Sequence, residues 1–193
     1  MTPIKISMEQ MIALHGFFAE AAAVGEARLA DISGCETEIE VLEVRCSSLA
    51  NFNETGMWLT EDLVAGVMGR IDGAIPGSLN VVMEPEEALL WARLAGTEDP
   101  IETVVGLGYE LLSGITVGFS EVLGSPCEFR DARLVEESEL AMLVGTHAPS
   151  DTLVFSTRLR IDVRDEALTA HSHLLVEPKY LTHLMSALSA AVH

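Results

Sequence analysis

Two segments decide how this chain folds: DGAIPGSLNVVMEP, Asp72 to Pro85, and DEALTAHSHLLVEP, Asp165 to Pro178. Their opening aspartates lie 93 residues apart, and at that spacing an Asp, an Ala and the closing Glu-Pro coincide. Apolar residues match at Ile75/Leu168, Val81/Leu174, Val82/Leu175 and Met83/Val176. Each Glu-Pro leads into a helical pattern, EEALLWARLAG in the first copy and KYLTHLMSALSA in the second. Proline opens a helix well, because the N–H it lacks would have had no intrahelical acceptor. The correspondence extends upstream, where GFFAEAAAVGEARLADISG (Gly16 to Gly34) matches GLGYELLSGITVGFSEVLG (Gly106 to Gly124) at a spacing of 90. Gly16/Gly106, Glu20/Glu110 and Gly34/Gly124 are identical, and Leu29/Phe119 and Ile32/Val122 are conservative. An ordered series of this kind marks a duplicated unit.

Each unit reads as a long helix (about 7–33 and 101–123), a strand (37–45 and 127–134) and a variable stretch (47–62 and 135–150). A hairpin follows (63–71 with 77–83, and 153–163 with 167–176), and then a closing helix. The closing glycines Gly34 and Gly124 are expected as helix C-caps in the left-handed conformation. Asp72-Gly73 and Arg164 to Glu166 supply the hairpin turns. Alternation in TLVFSTRLRIDV puts Leu153, Phe155, Leu159 and Ile161 on one face. Neither unit can bury its sheet alone. The expected fold is therefore α+β: one continuous, largely antiparallel sheet covered by helices around a pseudo-twofold axis. It forms a single domain of two repeats, 1–96 and 101–193, with Gly96 to Pro100 as a short link.

Composition bounds the partners. The 193-residue chain is 49% hydrophobic but only 5% aromatic, so its interior is mostly aliphatic. Thirty acidic residues against 11 Lys+Arg give a net charge of −19. Such a surface repels phosphate backbones and anionic headgroups, which speaks against nucleic acid and membrane as partners. The N-terminus carries no signal-peptide pattern, and no apolar stretch of about 18 residues is expected to span a membrane. Cys35, Cys46 and Cys127 form no C-x-x-C, which suits reduced thiols and a cytoplasmic location.

The helix–strand–variable–hairpin–helix duplication resembles the CheC/CheX/FliY chemotaxis proteins and the middle domain of the flagellar switch protein FliM. The similarity is carried by ADISGCETEIEV and FSEVLGSPCEF, where a long helix ends in Gly before a strand. It is carried equally by the hairpins leading into MEPEEALLWARLAG and VEPKYLTHLMSAL, and it covers nearly the whole chain. The resemblance implies a cytoplasmic partner of a phosphorylated CheY-type response regulator, with Mg only on that regulator and no intrinsic cofactor. A CheD-type deamidase or the motor switch is a further partner it implies, and a homodimer is compatible with it. Phosphatases of this family are taken to work through Glu-x-x-Asn on the first helix of a unit. The amide orients water at the aspartyl phosphate, and the i, i+3 spacing puts both groups on one helix face. Here the Glu positions fall on Gly16 and Gly106 and the Asn positions on Ala19 and Tyr109. The only asparagines are Asn51, Asn53 and Asn80, and none follows a glutamate at that spacing. The expectation is a regulator-binding protein without the usual catalytic pair. The alternatives are a divergent phosphatase using Glu20 or Glu110 and a switch-type structural subunit.

Other residues carry weaker signals. Glu20 and Glu110 lie one turn beyond Gly16 and Gly106, where a solvated or helix-packing glutamate competes with a regulator-binding one. His171 and His173 alternate on one strand and share a face, which a transition metal would need, but no third ligand has matching spacing. Ser113 and Ser120 lack a nucleophile elbow or a nearby His-Asp pair. Met8, Met11, Met57 and Trp58 are expected to fill the core. The acidic stretch Ala132 to Asp151 is either a recognition loop or a solvated connection. The glycines of GLGYELLSG (Gly106 to Gly114) have no phosphate-loop pattern. They are expected to serve close helix packing or a cleared partner surface.

Overall fold

A computed structural model describes residues 6–55, 65–96, 99–136 and 149–191. The first unit supplies α1 (Met8–Ser33), β1 (Thr37–Ser48), α2 (Leu49–Thr55), β2 (Ala65–Gly73), β3 (Gly77–Met83) and α3 (Pro85–Ala95). The second supplies α4 (Pro100–Leu123), β4 (Cys127–Glu136), β5 (Leu153–Val163), β6 (Glu166–Val176), a 3₁₀ turn (Pro178–Tyr180) and α5 (Leu181–Ala191). The local signals act as expected. Ser7 and Gln10 form a reciprocal capping box at the start of α1, and Asp99 accepts from two N–H groups of α4 just before Pro100. Gly34 and Gly124 close the long helices at φ of 61° and 60°, where a Cβ would be strained. Arg164 and Asp165 both sit at positive φ between Val163 and Glu166, the geometry that matches a two-residue turn to strand twist.

The six strands form one antiparallel sheet in the order β1-β5-β6-β3-β2-β4. Exchanging the two units reverses that order onto itself, so each first strand has crossed over. β1 pairs with β5 of the other unit, and β4 pairs with β2. The register fixes the axis: β3 and β6 meet with Asn80 opposite His173, and these two are also equivalent under the 93-residue repeat. Both edge strands are interrupted at related points, by shifts at Val41/Glu43 and at Met68/Arg70 opposite Arg130 to Arg133. Such irregularities, with charged side chains around them, discourage edge-to-edge association.

One face of the sheet carries α1 and α4, with α3 and α5 beside them. Phe17 stacks on Phe119 at 4.6 Å between ring centres, and Phe18 meets Phe119 edge-on at 5.7 Å. Phe155, Leu159 and Ile161 of β5 project into this core, as the alternation requires. On the opposite face α2 covers a smaller apolar cluster of Leu49, Phe52, Val154 and Leu175. Two expectations are corrected. Met8 is 77% exposed, because it lies on the first turn of α1 and faces away from the sheet, whereas Met11 packs against the core. By length and composition α4 could cross a membrane, contrary to the sequence reading, yet about half of it is buried in this fold. The apolarity of α4 reflects contact with α1, α3 and the sheet at once. Met57, Trp58 and most of the 132–151 stretch (137–148) lie outside the described residues.

Candidate functional site

α1 and α4 lie antiparallel across the sheet and cross at glycine. A Cβ on Gly114 would stand 2.5 Å from Gly25 Cα, and one on Gly118 would stand 2.5 Å from Ala21 Cα. Gly108 is similarly pressed against Val67, at 2.6 Å. Gly25, Gly114 and Gly118 let the two backbones meet near the pseudo-twofold axis and Gly108 makes room for the sheet, so two of the three glycines of GLGYELLSG are explained by packing. The third is not: at Gly106, and at its equivalent Gly16, a Cβ would meet nothing within 4 Å. Both glycines are exposed on the outer face of the helix pair.

The positions expected for the catalytic pair therefore lie at the surface. In the first copy Gly16 and half-buried Ala19 are flanked by exposed Ile12, His15 and Glu20. His15 Nε2 lies 3.0 Å from the Val41 carbonyl oxygen, which ties this end of α1 to the bulge in β1. In the second copy Gly106 neighbours Tyr109, 40% exposed, whose ring lies 6.0 Å from Phe129. Exposed Tyr109 follows Gly106 by three positions, as exposed Ile12 precedes Gly16 by four, so each copy presents an apolar side chain on the face of its open glycine.

Glu20 and Glu110, equivalent in sequence, have different surroundings. Arg28 Nη1 donates to Glu110 Oε2 at 3.4 Å and to Ser113 Oγ at 3.0 Å, bridging the two helices. The equivalent of Arg28 in the second unit is Gly118, so Glu20 has no such tether and is exposed. Ser113 is thus a helix-bridging hydroxyl, and Ser120 binds the backbone of Cys127 to anchor the start of β4. The Cys46 thiol is pushed up to about 12 by burial and is unreactive as a nucleophile.

His171 and His173 do share a face, the one opposite the long helices. His173 is almost fully buried, its Nδ1 is 2.8 Å from Asn80 Oδ1, and its ring packs edge-on against Phe52 at 5.2 Å. Burial, with help from neighbouring His171, lowers its pKa to about 3, so the imidazole is neutral and fits the tautomer that donates from Nδ1. Among the described residues no three His, Cys, Asp or Glu side chains converge as metal ligands. A wide cleft of about 1080 Å³ opens beside the β5–β6 turn, lined by Glu26, Glu36, Glu38, Arg160, Asp162 and Arg164. None of the sequence-predicted site residues lies in it. The Asn80–His173 pair was missed from sequence; its signal was a polar residue at the same repeat position in both strands, just before the apolar run that ends each of them.

The six-stranded antiparallel sheet with a crossed helix pair on its face is a fold that this chain shares with solved structures of FliY, the FliM middle domain and CheX. FliY from Thermotoga maritima superposes with a TM-score of 0.78 at 11% identity, covering 97% of this chain and all of that one. The FliM middle domain from H. pylori gives 0.65 at 11% identity, over 94% of this chain and 99% of its own. The chemotaxis protein CheX from Desulfovibrio desulfuricans gives 0.50 at 12% identity, over 82% and 99%. No family model and no curated protein matches the sequence.

Proposed function

We propose that this chain is a chemotaxis or motility signalling protein that docks a phosphorylated CheY-type response regulator on the outer face of α1 and α4. It does so without catalysing phosphoryl removal through a Glu-x-x-Asn pair. The carrying observation is that both positions expected for the glutamate are open yet occupied by glycine. Gly16 and Gly106 have free space around them, so packing does not exclude a glutamate there. The side chains on the same faces, Met8 and Ile12 on α1 and Tyr109 on α4, supply exposed apolar contact area beside the glycines. Such a patch suits a partner surface better than solvent.

Two other readings are distinguishable. If the protein is a divergent phosphatase, Glu20 is the available carboxylate, because Glu110 is engaged with Arg28 and Ser113. A switch-type structural role is favoured by the higher TM-scores against FliY and FliM than against CheX.

The test is a dephosphorylation assay with a CheY-type regulator, run beside a binding measurement. Wild type is expected to bind the activated regulator and leave its dephosphorylation rate unchanged. A Gly16→Glu/Ala19→Asn variant, which installs the missing pair on an open surface, is expected to accelerate it. Acceleration by wild type that disappears in Glu20→Ala would establish the phosphatase reading instead. Absence of binding to activated regulators would leave the switch-type role.

A further inference from the structure

The sheet face opposite the long helices holds a second constellation, which the docking reading does not use. On it the strand register lays out two adjacent rows. Glu43, Arg158 and His171 run across β1, β5 and β6, and Arg45, Ser156 and His173 run beside them. These six residues line a cavity of about 180 Å³. From the geometry we infer that this cavity binds a small oxyanion, held by the guanidinium groups of Arg45 and Arg158, the Ser156 hydroxyl and an imidazole N–H of His171.

Three observations carry the assignment. The first is charge: in a chain of net charge −19 with 11 basic residues, two arginines converge on one small cavity. Glu43 neutralises one of them, through a 2.6 Å contact from Arg45 Nε. Arg158 makes no ion pair among the described residues, so a net positive charge is left facing the cavity. The second is an unanswered donor. Ser156 Oγ is shielded from solvent and has no hydrogen-bond partner among the described residues, a costly state in a folded protein unless something else fills the site. The third is the pseudo-symmetry, which provides an internal control. Pairing through Asn80 and His173 makes Met68 the equivalent of Ser156, Arg70 of Arg158 and Arg133 of Arg45. There the hydroxyl is replaced by a thioether, and Arg70 and Arg130 are satisfied by Asp72, Asp131 and Glu128. The polar floor and the unpaired guanidinium exist in one half only.

Size limits the ligand. A cavity of about 180 Å³ is below the ~300 Å³ at which pockets for drug-sized ligands begin, so a nucleotide is too large. Phosphate, sulfate or a short carboxylate fits. Burial and the Arg158 charge hold His171 below its ordinary value, so it presents a neutral N–H donor rather than a third cation. Two guanidinium groups and two neutral donors match the oxygens of a tetrahedral dianion better than those of a monocarboxylate.

Calorimetric titration of the full chain with sodium phosphate, sulfate and acetate, at an ionic strength held constant with sodium chloride, tests the assignment. Saturable one-site binding is expected, tightest for phosphate or sulfate. Arg158→Gln should weaken it by about tenfold or more, the effect of losing a charge-assisted hydrogen bond. Ser156→Met, which imports the residue of the other half, should abolish it, and Arg70→Gln should leave it unchanged. Acetate binding as tightly as phosphate would reassign the site to carboxylates. No saturable heat with any of the three at millimolar concentration, or equal affinity in wild type and Arg158→Gln, would overturn the proposal.

Discussion

Gly106 and Gly114 lie about two turns apart on α4, and a single added methyl group separates their roles. At Gly114 it would push against the Gly25 backbone at 2.5 Å, with no flexible side chain to yield. Gly114→Ala is expected to lower the urea unfolding free energy by about 1–3 kcal/mol, the usual cost of overpacking. Gly106→Ala meets open space and should raise it by up to about 1 kcal/mol, the helix-propensity difference. Equal effects at the two positions would contradict the packing account. His173 is the other decisive residue. Its pKa is about 3 when folded, against an ordinary value of 6.5, so below pH 6.5 the unfolded chain takes up a proton that the folded one refuses. Its contribution is therefore intact above about pH 6.5 and declines as pH falls toward 3, by up to about 1.4 kcal/mol per unit. Urea midpoints from pH 7 to 5 should fall more steeply for wild type than for His173→Asn; parallel slopes would place the acid sensitivity elsewhere.

At the scale of elements, local chemistry was legible and apposition was not. The ends of α1 and α4 could be read from Ser7, Asp99, Gly34 and Gly124, because caps act through neighbours in sequence. The hairpins and the order helix–strand–hairpin–helix followed from alternation and turn residues. Which surface of a helix meets solvent is harder to read when both surfaces are apolar, and this is why Met8 was misplaced. The identity of Glu20 and Glu110 suggested equal roles, but only the second finds an arginine across the helix crossing. That Arg28–Glu110 pair is partly exposed, so Glu110→Ala should cost no more than about 1 kcal/mol in thermal or urea denaturation. A larger loss would mean that the carboxylate supports the crossing itself. The oxyanion cavity was invisible for a simpler reason: its arginines come from β1 and β5, which belong to different repeats and meet only after strand exchange.

For the whole molecule the exchange of β1 and β4 has a direct consequence for folding. Each unit donates a strand to the other, so residues 1–96 alone would leave β1 without β5 and β3 without β6. The core under α1 and α4 would be open as well. The two halves expressed separately are expected to be insoluble or unfolded, and to assemble into a folded complex when co-expressed; circular dichroism and gel filtration report both outcomes. A half that folds and stays monomeric alone would contradict the shared-sheet account. The long-range pairing that makes the halves interdependent is also what no local signal could disclose.

The axis through Asn80 and His173 has a consequence for how such a molecule can diversify. In an assembly of two identical half-length chains, whatever side chain stood at that point would face a copy of itself. Joining the halves into one polypeptide removes that constraint. An amide oxygen can then accept from an imidazole N–H across the axis, and Ser156 can stand between Arg45 and Arg158 on one flank while the other has Met68 in its place and Arg70 paired with Asp72 and Asp131. Covalent linkage thus gives this fold something symmetry forbids: a single copy of a site at the centre of a doubled architecture.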